Sequence, residues 1–170
     1  AVMSTLSEAG DLLFSDAFNH ASLVDGMRLS RARRVVFPHN DADALGVALR
    51  REPCDGIRFV VVESLFSMEG DVAPLREIAS HCLAAQAILI VDEAHAVGVY
   101  GARGSGLVEA QELDDAVCVS INSAGKALGV AGAFVAGPSW AIEYILQRGR
   151  AFVFSTAPPP ALAEVIGQSL

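Results

Sequence analysis

The chain has 170 residues, enough for one domain with a real core, and its 20 acidic against 12 basic residues give a net charge of −8, which disfavours nucleic-acid binding through a basic face. Apolar residues make up 52 % and mean hydropathy is +0.43, high for a free-standing domain. Several strands are therefore expected to be buried on both faces, as in an α/β fold, and some surface is expected to meet another domain or subunit.

The opening stretch, AVMSTLSEAGD, has no initiator Met, no basic segment and no capping signal. It reads as the middle of a helix rather than a signal peptide, and the chain as a piece of a longer one. Short apolar runs predict strands at 12–15, 33–37, 57–62, 87–92, 116–121 and 132–136. Between them, residues 22–30, 42–51 and 74–85 read as helices. The last has Pro74 near its first turn and a helical stripe of Leu75, Ile78, Ala79, Cys82 and Leu83. Pro138 and Ser139 open a further helix to about Arg148, and Pro158–Pro160 form a stiff lead-in to a final one ending near Leu170. FVVV and ILIV show no polar alternation, so they are expected as central strands of a parallel sheet with helices on both faces. Gly98, Gly101, Gly104 and Gly106 mark a flexible or sharply turning loop. The expectation is one α/β domain of three layers, α/β/α, with a mostly parallel sheet. No run of about 18 apolar residues is free of polar interruption, so no membrane span is expected. Cys54, Cys82 and Cys118 are too widely spaced for a metal knuckle or a disulfide scaffold and fit apolar filling in a reducing compartment. Arg28, Arg31, Arg33 and Arg34 form a basic cluster too short to reverse the global sign, leaving room only for a local anion site.

Two segments carry the chemistry. ILIV delivers Asp92, Glu93 and His95 to a strand end, where ligands of open parallel sheets bind. A carboxylate there can hold a pyridinium proton and keep the ring an electron sink, with His95 on a ring hydroxyl or orienting Asp92. The plainer alternative is an Asp that caps the following turn. Downstream, the polar turn NSAGK carries Lys126 between Gly125 and Gly129. A lysine near a buried strand end is expected to lose solvation and become a better nucleophile; a loop lysine at the surface is the alternative. Ser123 can donate to a phosphate or only stabilise the turn. His20 precedes a helix, where its ring can stack on a flat cofactor or be a satisfied, partly buried residue. Asn19 is a candidate cap for that helix, with Ser22 or Asp25 assisting. Glu63, Ser64 and Ser67 follow FVVV, and Ser67 can reach a ring hydroxyl. Ser155 and Thr156 can hold a phosphate or cap a helix.

DEAH is also a helicase tetrapeptide, but no upstream glycine-rich loop ending in GK[ST] accompanies it. No H-x-x-H or H-E-x-x-H pair suggests a metal, and no GxGxxG follows an early strand.

The blocks GDLLFSDAFNHASLVDG, FPHNDADAL, ESLFSMEGDVAPL, ILIVDEAHAVGVYGARGSG, SAGKALGVAGAFVAG and FVFSTAPPP, in this order over nearly the whole chain, resemble the α-oxoamine synthases of the fold-type I pyridoxal phosphate enzymes. The resemblance implies the central portion of a pyridoxal phosphate-binding large domain over 1–170. An N-terminal segment and a C-terminal small domain would lie outside it, so the stretch need not turn over by itself. It implies His20 stacked on the pyridoxal ring, Asp92 on the pyridine nitrogen, His95 and Ser67 on the ring hydroxyl, and Lys126 as the Schiff-base lysine. Ser123, where the family usually has Thr, would contact the phosphate, and Thr156 the phosphate of a neighbouring subunit's cofactor. The implied protein is a cytoplasmic homodimeric acyltransferase. It would condense a small amino acid with an acyl-CoA or other acyl thioester with loss of CO2, Lys126 removing the α-proton and His95 assisting the carbonyl chemistry. VDEAHAVGVYGARGSG and GKALGVAGAFVAG are most similar to the 8-amino-7-oxononanoate synthase group of biotin biosynthesis. Val97 stands where a substrate-facing residue, commonly Thr in that group, often sits. Chemistry like that of 5-aminolevulinate synthase or 2-amino-3-ketobutyrate CoA ligase, an aminotransferase-like or aldolase-like reaction, and a non-catalytic subunit remain the alternatives.

Overall fold

The computed structural model describes residues 1–170. In chain order it contains α1 (Val2–Leu6), β1 (Leu12–Asp16), α2 (Ala21–Arg28), β2 (Arg33–Phe37), α3 (Ala42–Arg51), β3 (Arg58–Glu63), α4 (Leu75–Ala84), β4 (Ile88–Asp92), α5 (Leu107–Ala110), β5 (Val119–Ser123), β6 (Ala133–Ala136), α6 (Ser139–Arg148), α7 (Arg150–Val153) and α8 (Pro160–Ser169). The strands form one six-stranded sheet in the order β2-β1-β3-β4-β5-β6. β1 to β5 are parallel and β6 is antiparallel to β5.

Successive strand residues point to opposite faces, and here both faces are apolar. On one side Phe14, Val60, Val62, Leu89 and Val91 meet Leu45 and Leu49 of α3 and Leu75, Ile78 and Cys82 of α4. On the other, Leu13, Phe59, Val61, Ile90 and Val119 meet Val2 and Met3 of α1, Leu23 and Met27 of α2, and Ala141 of α6. Each such side chain taken fully out of water contributes about 1.5–3 kcal/mol, which is why FVVV and ILIV take the middle of the sheet. The three-layer, mostly parallel α/β/α arrangement is the one read from the sequence.

One departure matters for the site. The strand expected at 116–121 runs instead over Val119–Ser123. Ala116 and Val117 close a turn onto Leu113 O, whereas Asn122 and Ser123, read as turn residues, pair with Phe134 and Ala133 of β6. β6 can only be antiparallel, because 124–132 is too short for the crossover a parallel neighbour needs. The chain steps out from β1 to β2 and returns to β3, so the strand order reverses beside β1. At such a reversal the loops beyond the strand carboxyl ends part to leave a crevice.

The apolar excess surfaces in the last third, where Trp140, Phe152, Phe154 and Leu170 are exposed and α8 buries no residue. No helix is long and apolar enough to cross a membrane.

Candidate active site

The carboxyl ends of β1, β3, β4 and β5 surround a cavity of about 260 Å³. It is lined by His20 and Ser22 from the start of α2, Glu63 from β3, Asp92 from β4, His95 just beyond it, Ile121, Asn122 and Ser123 from β5, and Lys126 from the following turn. His20, Asp92, His95, Ser123 and Lys126, singled out from sequence, thus meet in one place. Ser67 and Thr156 do not line the cavity: both are exposed, Ser67 in the loop after β3 and Thr156 between α7 and α8.

Asp92 is 8 % exposed. Its Oδ1 accepts the Ala94 N–H at 2.9 Å, an Asp-capped turn of the kind the sequence allowed, while Oδ2 has no protein partner and no cation side chain forms an ion pair with it. Burial pushes the carboxyl above its ordinary range; the Ala94 N–H and the charges of Lys126, His20 and His95 pull partly the other way. Glu63 is the register partner of Asp92 on the neighbouring strand. It too is raised by burial, against the His20 N–H donated to its Oε1 at 2.6 Å and with Asp92 adding to the rise. Two desolvated carboxylates side by side, each with one oxygen that accepts no hydrogen bond, make a site that gains by receiving an N–H⁺.

His20 is itself the cap of α2: its Nδ1 accepts the Ser22 N–H at 3.2 Å and lies 2.9 Å from Ser22 Oγ. Asn19, expected in that role, is buried instead, its Nδ2 donating to Ser15 Oγ and Val61 O at 3.0 and 2.7 Å. A five-membered ring with an acceptor nitrogen caps as an Asx side chain would, and it leaves the imidazole exposed at the cavity's edge. His95 is half-buried, and burial lowers its pKa, with Lys126 adding to the fall. Lys126 is exposed rather than withdrawn from water, contrary to the expectation of a desolvated lysine. The turn that joins β5 to β6 carries it past the strand end. It is the sole lysine of the chain. Val97 is buried at 1 % and faces a different recess beside Val108 and Leu128, so it does not face this cavity.

Sequence reasoning missed two buried polar arrangements. Glu93 accepts the Leu107 and Val108 N–H groups at 2.9 and 2.7 Å and the Ser64 hydroxyl at 3.0 Å, capping α5 from below. Its position beside Asp92 in DEAH is a signal only once the glycine loop is seen to fold back over it. At Gly106, with φ 115°, a Cβ would strike the Glu93 carboxylate. Replacing Glu93 by alanine strands three buried donors and is expected to cost about 3 kcal/mol or more in urea unfolding, with Glu93→Gln between it and wild type. Equal stability of all three proteins would contradict the cap.

The second arrangement centres on His39, which bridges Asp16 Oδ1 through Nδ1 and Asp71 Oδ2 through Nε2, both at 2.9 Å. Its ring stacks on Phe18 and meets Phe66 edge-on, both at 4.4 Å. Burial alone would lower its pKa, but the hydrogen bonds and charges of Asp16 and Asp71 together raise it above its ordinary 6.5. A histidine raised on folding stabilises the fold fully below the unfolded value and loses that contribution as pH climbs through the folded one. The melting-temperature advantage of wild type over His39→Gln is therefore expected to shrink from about pH 6 to about pH 9. Parallel curves over that range would exclude a charged bridge.

The family model described as aminotransferase class I and II matches residues 1–170. The 8-amino-7-oxononanoate synthase of Burkholderia mallei (strain SAVP1) is 45 % identical over 171 residues, which is 100 % of this chain and 43 % of that protein. Among solved structures, a serine palmitoyltransferase from S. paucimobilis with a bound PLP–myriocin aldimine superposes at TM-score 0.93 and 33 % identity, over 98 % of this chain and 43 % of that one. The 8-amino-7-oxononanoate synthase of Francisella tularensis superposes at TM-score 0.81 and 31 % identity, over 98 % and 48 %. The chain spans less than half the length of each of these relatives. Both enzyme names fall within the group that the sequence blocks resemble. With its whole length matched by the family and its fold shared with these neighbours, the chain belongs to the aminotransferase class I and II family.

Proposed function

We propose that the cavity holds pyridoxal 5′-phosphate and that the complete protein is an acyltransferase. It condenses a small amino acid with an acyl thioester, releasing CO2, in the manner of 8-amino-7-oxononanoate synthase. The observation that carries the reading is the buried Asp92 carboxylate, with one oxygen unpartnered, facing the same cavity as the sole lysine. The residues present fit the cofactor: an anion for a ring N–H⁺, an imidazole for a ring face, an amine for an aldehyde, and hydroxyls for polar groups.

When bound, pyridoxal phosphate supplies an aldehyde for a primary amine and a protonated pyridine that withdraws electrons from the substrate's α-carbon. Asp92 would hold the proton on the ring nitrogen, with the surrounding low dielectric strengthening that hold. His20 would cover one ring face. Lys126 Nζ would be the amine that holds the cofactor's aldehyde and, once freed, the base positioned to accept the proton from the substrate's α-carbon. His95, kept neutral near pH 7 by its lowered pKa, can hydrogen-bond the ring hydroxyl and assist at the thioester carbonyl. Ser123 and the turn amides would serve the phosphate; Ser67, outside the cavity in the loop after β3, would reach the ring hydroxyl only by a shift of that loop. Thr156, exposed on the apolar last third, is assigned to the cofactor phosphate of a second subunit in a homodimer.

The reaction is tested by incubating the complete protein with pyridoxal phosphate, alanine or glycine, and a series of acyl-CoA donors. Stoichiometric CO2, free CoA and an amino ketone are expected. Amino-group transfer to a 2-oxo acid without CO2 would instead place the protein with the aminotransferases proper.

A further inference from the structure

The loops that carry His20 and Ser67 follow different strands, β1 and β3. At the cavity Glu63 holds one of them: its carboxylate accepts the His20 N–H at 2.6 Å. On the outer side stands His39, from the loop after β2, which lines no part of the cavity. Its ring stacks on Phe18, two residues before His20, and makes a T-shaped contact with Phe66, one residue before Ser67. Its two nitrogens reach Asp16, at the end of β1, and Asp71, at the end of the Ser67 loop.

The bridge is built rather than incidental. Asp16 is 1 % exposed and also accepts the Phe18 and Asn40 N–H groups, both at 2.8 Å. Asn40, held at φ 53°, donates its Nδ2 to Asp71 Oδ2 at 2.8 Å. Such a left-handed backbone persists in a non-glycine residue where its surroundings fix it. A histidine needed only to fill space here would not require carboxylates at both nitrogens.

We propose that His39 is a positioning residue for the cofactor site: by bridging Asp16 to Asp71 between Phe18 and Phe66, it ties the loop after β3 to the loop after β1, so that His20 already stands at the cavity's edge where the cofactor ring needs it. This rests on the pyridoxal phosphate reading of the cavity. Loops ordered beforehand spare the cofactor the entropy of ordering them, so loss of the bridge weakens binding by about 10-fold.

The test uses the complete protein and three variants. His39→Phe keeps the aromatic packing and removes both hydrogen bonds. Asp71→Ala removes the outer arm at a half-exposed position, and Asp71→Asn restores an acceptor there. Hydrogen–deuterium exchange is measured on the cofactor-free proteins, and cofactor affinity by titrating the visible absorbance of lysine-bound pyridoxal phosphate. In His39→Phe, exchange is expected to rise over 16–20 and 64–71 while β3 and β4 stay protected, with affinity about 10-fold weaker. Asp71→Ala raises exchange over 64–71 and weakens binding, and Asp71→Asn recovers most of the loss. Should His39→Phe fail to fold, the Asp71 pair decides. Wild-type exchange and affinity in every variant would overturn the positioning role. A wild-type protein that binds no pyridoxal phosphate would overturn the cofactor site itself, leaving the exchange result to report on the bridge alone.

Discussion

Lys126→Ala is expected to leave the fold intact and remove both lysine-bound cofactor absorbance and turnover. The side chain is exposed, makes no hydrogen bond, and sits in a turn held by backbone contacts alone: Gly129 N–H to Lys126 O at 3.1 Å and Val130 N–H to Ala124 O at 2.9 Å. Truncating it therefore strands nothing, and thermal stability of the cofactor-free protein should match wild type. Turnover is expected to fall by at least about 10²–10⁴-fold, the range that loss of a positioned proton acceptor alone covers, with the lost covalent link adding to it. Lys126→Arg separates charge from nucleophilicity. It keeps a cation near Asp92 but offers no amine to an aldehyde, so it should fail as completely as alanine. An active Lys126→Arg protein would reduce Lys126 to an electrostatic role.

Asp92→Asn is expected to move stability and function in opposite directions. In the cofactor-free fold the carboxylate is buried beside Glu63 with one oxygen unpartnered, and its pKa is raised chiefly by that burial. A carboxyl whose folded pKa lies above its unfolded value destabilises the fold as pH rises past the ordinary 3.8 and through the raised value, because the folded state binds the proton more tightly. Asparagine removes this cost, so the cofactor-free variant should melt above wild type at neutral pH, and the gain should disappear in acid. With cofactor present the sign reverses. The amide cannot hold a ring N–H⁺, and the loss of that preorganised anion should lower turnover by about 10²–10³-fold. Calorimetry with and without pyridoxal phosphate, beside the product assay, checks both halves. A variant less stable than wild type in the cofactor-free state would mean that Asp92 is satisfied without a ligand.

What the sequence made legible follows from where one force dominates. FVVV and ILIV admit few fates other than central parallel strands, and their ends put Glu63 and Asp92 side by side. The helices at 42–51, 74–85 and 139–148 follow from apolar periodicity and proline starts, and the structure moves their bounds little. Short-range polar choices were less readable. Asn122 and Ser123 look like turn residues until β6 is known to lie against them, because a ladder partner overrides local preference. Asn19 looks like a cap, but its amide N–H groups go to the buried Ser15 hydroxyl and Val61 carbonyl, and His20 takes the position. The exposure of Lys126 depends on how far the turn projects, which no apolar pattern encodes. The Asp16–His39–Asp71 bridge joins residues from three loops, so no spacing along the chain announces it.

Asp92 and Lys126 line one cavity and are expected to hold one flat ligand from two sides. A crystal structure of the complete protein with pyridoxal phosphate decides this. The ring should lie beneath His20, its nitrogen within hydrogen-bond distance of the unpartnered Asp92 oxygen and its aldehyde carbon bonded to Lys126 Nζ. A ring bound outside this cavity, or one turned so that Asp92 faces no nitrogen, would contradict it.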